Sequence, residues 1–406
     1  ASLRARERWA AGSAAAAAGC LLCGYELLRS PSATLFQAAY GAETLPAVMV
    51  AVPLGTLAMI CLYGWMLSRL GPRRTLAATS LLSGALIGAC YLGVRSGWAP
   101  ATAVLYVLRE AYIVLIIEQY WSFLNSTFEE GGAKRWNGAV IGAGSLGAAA
   151  GGWLVYRLSE PLGTAALLVF GAASVVPAAF FSDLAYTRCG EPAARGEKAR
   201  GLGHLGLSAF RTSPILVWIL LLVVWTQVVS TVLGLGFQSH LQREIVELDR
   251  QTAYSGRFYS LLAAAAALMQ FIGIPVLLAR VPVAPAQFAI PVVHAAAAAV
   301  FLASPSLRTA GAAFFLFKIL DYSVFRATKE ILYIPLPFDA RYRAKEIIDV
   351  FGYRFSKGAA SLGVMAFQGA GWAATGLYPP MALAASLLWF AFVYPVVRLA
   401  GRVHPK

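Results

Sequence analysis

Apolar runs of some twenty residues alternate along this chain with short polar stretches. A helix rises 1.5 Å per residue, so about 20 apolar residues cover the roughly 30 Å of hydrocarbon in a bilayer. The pattern predicts spans near 10–28, 45–67, 75–94, 100–126, 137–158, 162–186, 214–236, 256–280, 286–304, 309–336, 347–373 and 379–399. The longest polar interruption, 187–213 (TRCGEPAARGEKARGLGHLGLSAFRTS), divides them into two sets of six. The expected fold class is therefore an all-α membrane protein of about twelve transmembrane helices in two six-helix bundles. Their expected bounds are 1–186 and 214–406, with 187–213 as a cytoplasmic linker.

Cations fix the expected orientation. If the N-terminus is cytoplasmic, Arg4, Arg6, Arg8, Arg69, Arg73, Arg74, Lys134, Arg135, Arg341, Arg343 and Lys345 all fall on inside segments. The outside loops then keep only Arg29, Arg95, Arg243, Arg250 and Arg308. Such a bias predicts both termini inside and an even number of spans. The turn Gly64-Trp-Met-Leu-Ser68-Arg69-Leu-Gly71-Pro72-Arg73-Arg74 resembles the G-x-x-x-D-R-x-G-R-[KR] loop of the major facilitator superfamily, with Ser68 and Pro72 as departures. That superfamily places two six-helix bundles about a site near the midplane.

Composition narrows the chemistry. With 59% hydrophobic and 13% charged residues in 406, the chain is too apolar for a soluble core, and lipid must be its main solvent. A net charge of +14 could point to nucleic acid, but the basic residues are spread between apolar runs, so no nucleic-acid partner is expected. Cys20, Cys23, Cys61, Cys90 and Cys189 are scattered and form no ligand set with the histidines, which predicts no disulfide framework, metal or cofactor. Cys20 and Cys23 make a C-x-x-C inside an alanine-rich span, where packing is the expected role. Gly142-Ala-Gly144-Ser-Leu-Gly147 is a literal G-x-G-x-x-G, yet it opens an apolar span rather than following a strand. Together with Gly151 and Gly152 it reads as a helix-packing stripe. His204 and His240 are expected in solvated segments, and His294 as a hydrogen-bonded core histidine. No Walker loop, H-E-x-x-H or Asp/His metal set is present, so an enzyme is not expected.

Ionisable side chains in mid-bilayer cost about 2.5–3.5 kcal/mol each on insertion scales, so each needs a partner, a wet cavity or a task. Glu26 and Arg29 lie three apart near the expected outer end of the first span. In the fourth, Arg109, Glu110 and Glu118 interrupt an apolar run, and Glu118, Trp121, Ser122 and Asn125 share a face at about 100° per residue. The tenth is denser (FFLFKILDYSVFRATKEILYIPLP). On an ideal wheel Lys318, Asp321, Tyr322, Phe325, Arg326, Lys329, Glu330 and Tyr333 occupy about half the circumference. Lysines and an arginine there could neutralise an anion while aromatics stack on a ring. Arg341, Arg343 and Lys345 are expected in a solvated loop, whereas Arg354 and Lys357 enter the eleventh span as candidate gate residues beside Arg69 and Arg73.

Lys329-Glu330-Ile-Leu-Tyr333-Ile-Pro335-Leu, continuing through Ala344-Lys345 and Ile348-Asp349 to Lys357-Gly358, resembles the ATP/ADP translocases of plastids and obligate intracellular bacteria. Their stretch reads like KE-x-x-Y-I-P-L, K-x-K-A-x-I-D and G-K. Tyr25-Glu26-Leu-Leu28-Arg29, Gly41-Ala42-Glu43-Thr-Leu-Pro46 and Tyr120-Trp121-Ser-Phe123-Leu-Asn125 are similar to the family's Y-x-x-L-R, G-A-E-x-x-P and F-W-G-F-A-N. The resemblance implies a divergent bacterial member with a major-facilitator-like fold. It also implies exchange of nucleotide-like anions, with Lys329, Glu330 and Glu110 at functional positions. After Arg29 the family has a Lys-Asp pair for phosphates where this chain has Ser30-Pro31-Ser32-Ala33. The likeness therefore carries the fold further than it carries ATP/ADP specificity.

The expectation is a monomeric secondary transporter of the bacterial inner membrane, surrounded by lipid and exchanging nucleotides or related small organic anions by alternating access. The alternative on the same fold is a carrier or scramblase of lipids and other amphiphiles. The expected substrate residues are Lys318, Asp321, Tyr322, Arg326, Lys329, Glu330, Tyr333, Glu110, Glu118, Asn125, Glu26 and Arg29.

Overall fold

The computed structural model describes residues 3–127, 130–189, 210–211, 213–333, 336, 345 and 348–403, and within these every regular element is helical. The helices are α1 (Leu3–Tyr40), α2 (Leu45–Arg95), α3 (Pro100–Thr127), α4 (Glu130–Leu162), α5 (Leu167–Cys189), α6 (Pro214–Glu244), α7 (Leu248–Leu268), α8 (Ile274–Leu278), α9 (Val283–Ala303), α10 (Leu307–Leu320), α11 (Arg326–Tyr333), α12 (Tyr353–Gly369) and α13 (Ala374–Val403). Gly71 breaks α2 in two, with a φ of 74° that a side-chain-bearing residue rarely adopts. π-helical turns at Met269–Gly273 and Asp321–Phe325 join α7 to α8 and α10 to α11 into continuous rods. The predicted succession of twelve spans is thus present as twelve rods among the described residues. Nine of the described helical stretches are long and apolar enough to cross a membrane. The other rods are α3, α10–α11 and α12, and the first two carry Arg109, Glu110, Lys318, Lys329 and Glu330. Most of the expected linker, 190–209, lies outside the described residues, as does His204.

Two compact units emerge, Ala1–Gly196 with Ile245–Ala264, and Glu197–Glu244 with Ala265–Lys406. In the first, the small residues of α1 and α4 let two backbones nearly touch. A Cβ on Gly147 would collide with the backbone of Gly19, one on Gly151 with that of Cys23, and one on Gly144 would sit 2.9 Å from Leu22. Small residues at a crossing are the usual route to tight packing in lipid, where apolar burial drives little association. The G-x-G-x-x-G is therefore a packing stripe, and Cys20 and Cys23 are free thiols on the helix it packs against. Leu28, Leu105, Tyr112 and Leu168 fill the core among α1, α3 and α5.

The first span is longer than expected. The expected span ends near 28, but α1 continues through Pro31 to Tyr40, which places Glu26 and Arg29 mid-helix rather than at an outer end. Proline is tolerated in a membrane helix when hydroxyls and neighbouring helices take up the disturbed backbone groups. Here Ser32 Oγ donates to the Arg29 carbonyl (3.1 Å) and Thr34 Oγ1 to that of Ser30 (3.1 Å).

The N-terminal part of α7 belongs to this first unit and is fastened to it by hydroxyls. Ser255 Oγ donates to Ser30 Oγ at 3.0 Å, and Thr252 and Thr34 share a 2.6 Å hydrogen bond. Asp249 accepts from the backbone N–H (2.7 Å) and hydroxyl (2.6 Å) of Thr164. Ser260 donates to the Ala149 carbonyl at 2.7 Å, beside the close approach of Gly152 and Gly256.

In the second unit α6 lies beside α13, with Trp389, Phe317, Phe325 and Phe301 fully buried. His240 belongs to this interior rather than to a loop. It is buried on α6, edge-on to Phe301, with Nδ1 3.6 Å from Glu244.

Candidate functional site

Each unit concentrates its buried charge in one cluster. In the first, Arg29 Nη1 pairs with Glu26 Oε1 at 3.1 Å, one helical turn away. Arg109 Nη2 pairs with Glu110 at 2.8 Å, while Arg109 Nη1 donates to the Arg29 carbonyl at 3.2 Å and so ties α3 to α1 beside Pro31. Aromatic rings complete the cage. Arg29 lies over Tyr259 (3.7 Å to the ring centre) and Tyr25 (5.8 Å), and Arg109 lies over Tyr106 (4.5 Å). Glu26 is 4% exposed and Arg109 5%. Charges removed from water this far persist only when paired and hydrogen-bonded, and two arginines here face two carboxylates. The local charge is balanced. Arg109, Tyr106 and Tyr259 are not among the substrate residues expected from sequence. Arg109 and Tyr106 share α3 with Glu110, but Tyr259 arrives from a helix more than two hundred residues away, with no local signal. The backbone of Glu118 and Asn125 continues α3, and their side chains lie outside the described residues.

The second cluster surrounds the π-turn at Asp321–Phe325. A π-turn inserts one extra residue and rotates the residues beyond it by about 100° relative to an ideal wheel. That rotation separates residues that the wheel groups together. Lys318, Asp321, Lys329 and Tyr333 are buried, Tyr322 and Glu330 half-buried, and Arg326 exposed. Phe325 turns into the core, edge-on to Trp389. Lys329, 2% exposed, is ion-paired with Asp349, with Glu330 at 3.9 Å and the Tyr353 ring at 5.2 Å. Lys345 pairs with Glu330 at 2.5 Å and lies 5.8 Å from the Tyr333 ring, so it is part of the site rather than of a solvated loop. Asp349, Lys329, Glu330 and Lys345 form a chain of alternating charge.

Lys318 is different. Its ammonium, 5% exposed, donates to Ser230 at 2.8 Å and sits 5.2–5.6 Å from the rings of Phe314, Phe317 and Tyr322. Among the described residues no carboxylate pairs with it, although Asp321 is one turn away with Oδ1 buried and without a hydrogen-bond partner. A desolvated, aromatic-walled ammonium can receive an anionic group, and a carboxylate oxygen can accept from a hydroxyl. His294 is fully buried between Phe317 and Trp389, and both ring nitrogens lack a hydrogen-bond partner among the described residues. Its expected hydrogen bond is replaced by ring stacking.

The expected gate residues scatter. Arg73 forks onto Asp183 (2.6 and 2.9 Å) and Thr187 (3.0 Å), joining α2 to α5, while exposed Arg69 lies over Trp65 at 4.8 Å. Arg354 and Lys357 are half-buried on α12. No group of three or more histidines, cysteines or carboxylates among the described residues could hold a metal ion.

Comparison with known proteins places this geometry in a wider setting. A family model described as TLC ATP/ADP transporter matches residues 288–369, the stretch from α9 through α12 that holds the whole lysine cluster. No curated protein matches the chain. Among solved structures it resembles a variant of the nucleoside transporter NupG (TM-score 0.72, 11% identity, 96% of this chain and 99% of that one). It also resembles a bacterial homologue of the iron transporter ferroportin in an inward-facing state (0.69, 14%, 99% and 100%). A third likeness is to a D-xylose–proton symporter (0.66, 15%, 94% and 97%). At these identities the likeness establishes the fold. The chain is a multi-pass integral membrane protein with a major-facilitator-like architecture. Both the family model and these neighbours are transporters, not enzymes.

Proposed function

We propose that this protein is a secondary transporter that exchanges a nucleotide or a related organic anion by alternating access. Its two six-helix halves are 1–186 and 214–406, with 187–213 as the cytoplasmic linker. The observation that carries the reading is the coincidence of the ATP/ADP-transporter match with the ion-paired chain Asp349–Lys329–Glu330–Lys345, centred on buried Lys329, and with buried Lys318 earlier on the same rod. An anion entering such a site can take over a lysine from its carboxylate, so each ion pair has two partners to choose between as the protein opens and closes. Lys318 anchors the anionic group, Tyr322, Tyr333 and Tyr353 supply ring faces, and Asp321 and Glu330 accept from substrate hydroxyls. Glu26, Arg29, Arg109 and Glu110 supply further polar contacts from the first unit, with Glu118 and Asn125 farther along α3. Arg69, Arg73, Arg354 and Lys357 act at the gates. The protein works as a monomer in a bacterial inner membrane, in contact with its lipids and with both termini cytoplasmic.

The test is uptake of labelled ATP and ADP into proteoliposomes preloaded with nucleotide, comparing the parent with Lys329→Ala. Counterflow in the parent that falls by at least about tenfold in the variant, a loss of about 1.4 kcal/mol or more, supports the reading. Absence of counterflow in a well-folded parent overturns nucleotide exchange and leaves other anions, or amphiphiles, as the cargo.

A further inference from the structure

Another concentration of chemistry, sharing no residue with the charged clusters, lies where the start of α6 meets the end of α13. Trp218, Tyr394, Pro395, Arg398 and Leu399 line a cavity of about 240 Å³ there. The lining offers an indole, a phenol and a guanidinium, all hydrogen-bond donors, and no carboxylate. Among the described residues none of these three side chains makes a hydrogen bond or ion pair with another. Such a set presents positive charge and donors to whatever fills the cavity, and the matching occupant is an anion with several oxygens.

Position identifies the kind of anion. The apolar stretch Pro214–Glu244 begins four residues before Trp218, and Thr375–Ala400 ends two residues after Arg398, so the cavity sits where both helices leave the hydrocarbon. Tyr394 is 60% exposed, so the cavity opens outward, toward the surrounding lipid. Tryptophan and tyrosine gather at that depth, and basic pockets between membrane helices there hold anionic head groups. A column of rings leads inward from the opening. Trp218 lies 6.0 Å from Phe392, and Phe392 stacks on Trp225 at 5.8 Å, two turns deeper along α6. The cavity is smaller than the ~300–1,000 Å³ of a site for a drug-sized solute, which suits a head group whose acyl chain runs outside along the ring column.

We propose that this groove is a binding site for one anionic phospholipid, its phosphodiester held by Arg398, Tyr394 and Trp218 and an acyl chain laid along Phe392 and Trp225. The lipid is a bound ligand at the rim of the protein, not its cargo, and the site is independent of what the transporter carries.

The experiment uses the full chain, delipidated in a neutral detergent, with phosphatidylglycerol, phosphatidylcholine and water-soluble glycerol phosphate as probes. Lipid adducts are read by native mass spectrometry and the unfolding midpoint by a thermal ramp. The parent should hold phosphatidylglycerol about tenfold more tightly than phosphatidylcholine and gain midpoint from it alone. Arg398→Gln should erase that preference without moving the lipid-free midpoint, and Tyr394→Phe, a change at an exposed position, should reduce it in part. Equal binding of the two lipids, or a preference that survives Arg398→Gln, overturns the proposal. Glycerol phosphate that displaces phosphatidylglycerol at equal concentration overturns it too, because the site would then be one for free phosphate esters.

Discussion

The guanidinium of Arg29 lies over the ring of Tyr259, 3.7 Å from its centre, and joins the middle of α1 to the middle of α7. The same two helices share the Ser30–Ser255 and Thr34–Thr252 hydrogen bonds, so cation, ring and hydroxyls form one stripe along the contact. A desolvated cation–π pair contributes about 2 kcal/mol. Tyr259→Leu should therefore lower stability in detergent by about 1–2 kcal/mol, whereas Tyr259→Phe, which keeps the ring, should stay near the parent. Thermal unfolding of the three proteins decides it, and equal losses in both variants would assign the effect to the phenol hydroxyl instead.

Lys329 and Asp349 make the second test. Lys329 is buried and Asp349 half-buried, so stranding the ammonium approaches the roughly 3–5 kcal/mol cost of an uncompensated buried charge, while removing both avoids that penalty. Asp349→Ala, which strands the buried ammonium, should destabilise strongly, Lys329→Ala, which leaves a part-exposed carboxylate, should cost less, and the double variant should recover much of the Asp349→Ala loss. Nucleotide counterflow should remain absent in the double variant, because its stability is restored without the cation. Additive losses in the double-mutant cycle would mean that the two residues do not interact.

Much of this architecture could be read from the chain before folding. Twenty-residue apolar runs leave a helix few alternatives in lipid, and glycines at Gly144, Gly147 and Gly151 keep one register, so the rods and a close-packing stripe on α4 follow from local pattern, whereas its partner α1 is seen only in the fold. Local signals misled where another helix completes the structure. The apolar run of the first span ends near 28, yet the helix runs on through Pro31 because neighbouring hydroxyls and Arg109 occupy the backbone groups around it. Arg326 left its expected face because nothing in the sequence marks the π-turn that precedes it. Ser230, Tyr259 and Lys345 were missed for a common reason. Each becomes part of a cluster only when the chain brings a distant segment beside it.

Gly151 carries the third prediction. Its position beside the Cys23 backbone leaves no room for a side chain, and the atoms in the way are main chain, which cannot rotate aside. Overpacking costs about 1–3 kcal/mol where side chains can yield, and more where they cannot. Gly151→Leu should abolish a monodisperse peak in size-exclusion chromatography, and Gly151→Ala should lower the unfolding midpoint. Substitution at Gly138, which meets nothing within 4 Å, should leave both unchanged.

Lys318 separates stability from recognition. Its ammonium is buried with Ser230 as its hydrogen-bond partner, and among the described residues no carboxylate offsets the charge. Burying an ion this way costs stability, so its retention calls for a purpose other than holding the fold. Lys318→Met keeps the apolar stem and removes the charge. It should leave the unfolding midpoint equal to or above that of the parent while counterflow of an anionic substrate falls by at least about tenfold, about 1.4 kcal/mol of lost recognition. Ser230→Ala removes the hydroxyl that accepts from the ammonium and should do the reverse in stability, costing about 1–3 kcal/mol by leaving a buried donor unsatisfied. A Lys318→Met protein that unfolds earlier than the parent by that amount would make Lys318 a structural residue. One that transports normally would remove it from the site, and the anion would then have to be held by the Lys329 and Lys345 pairs alone.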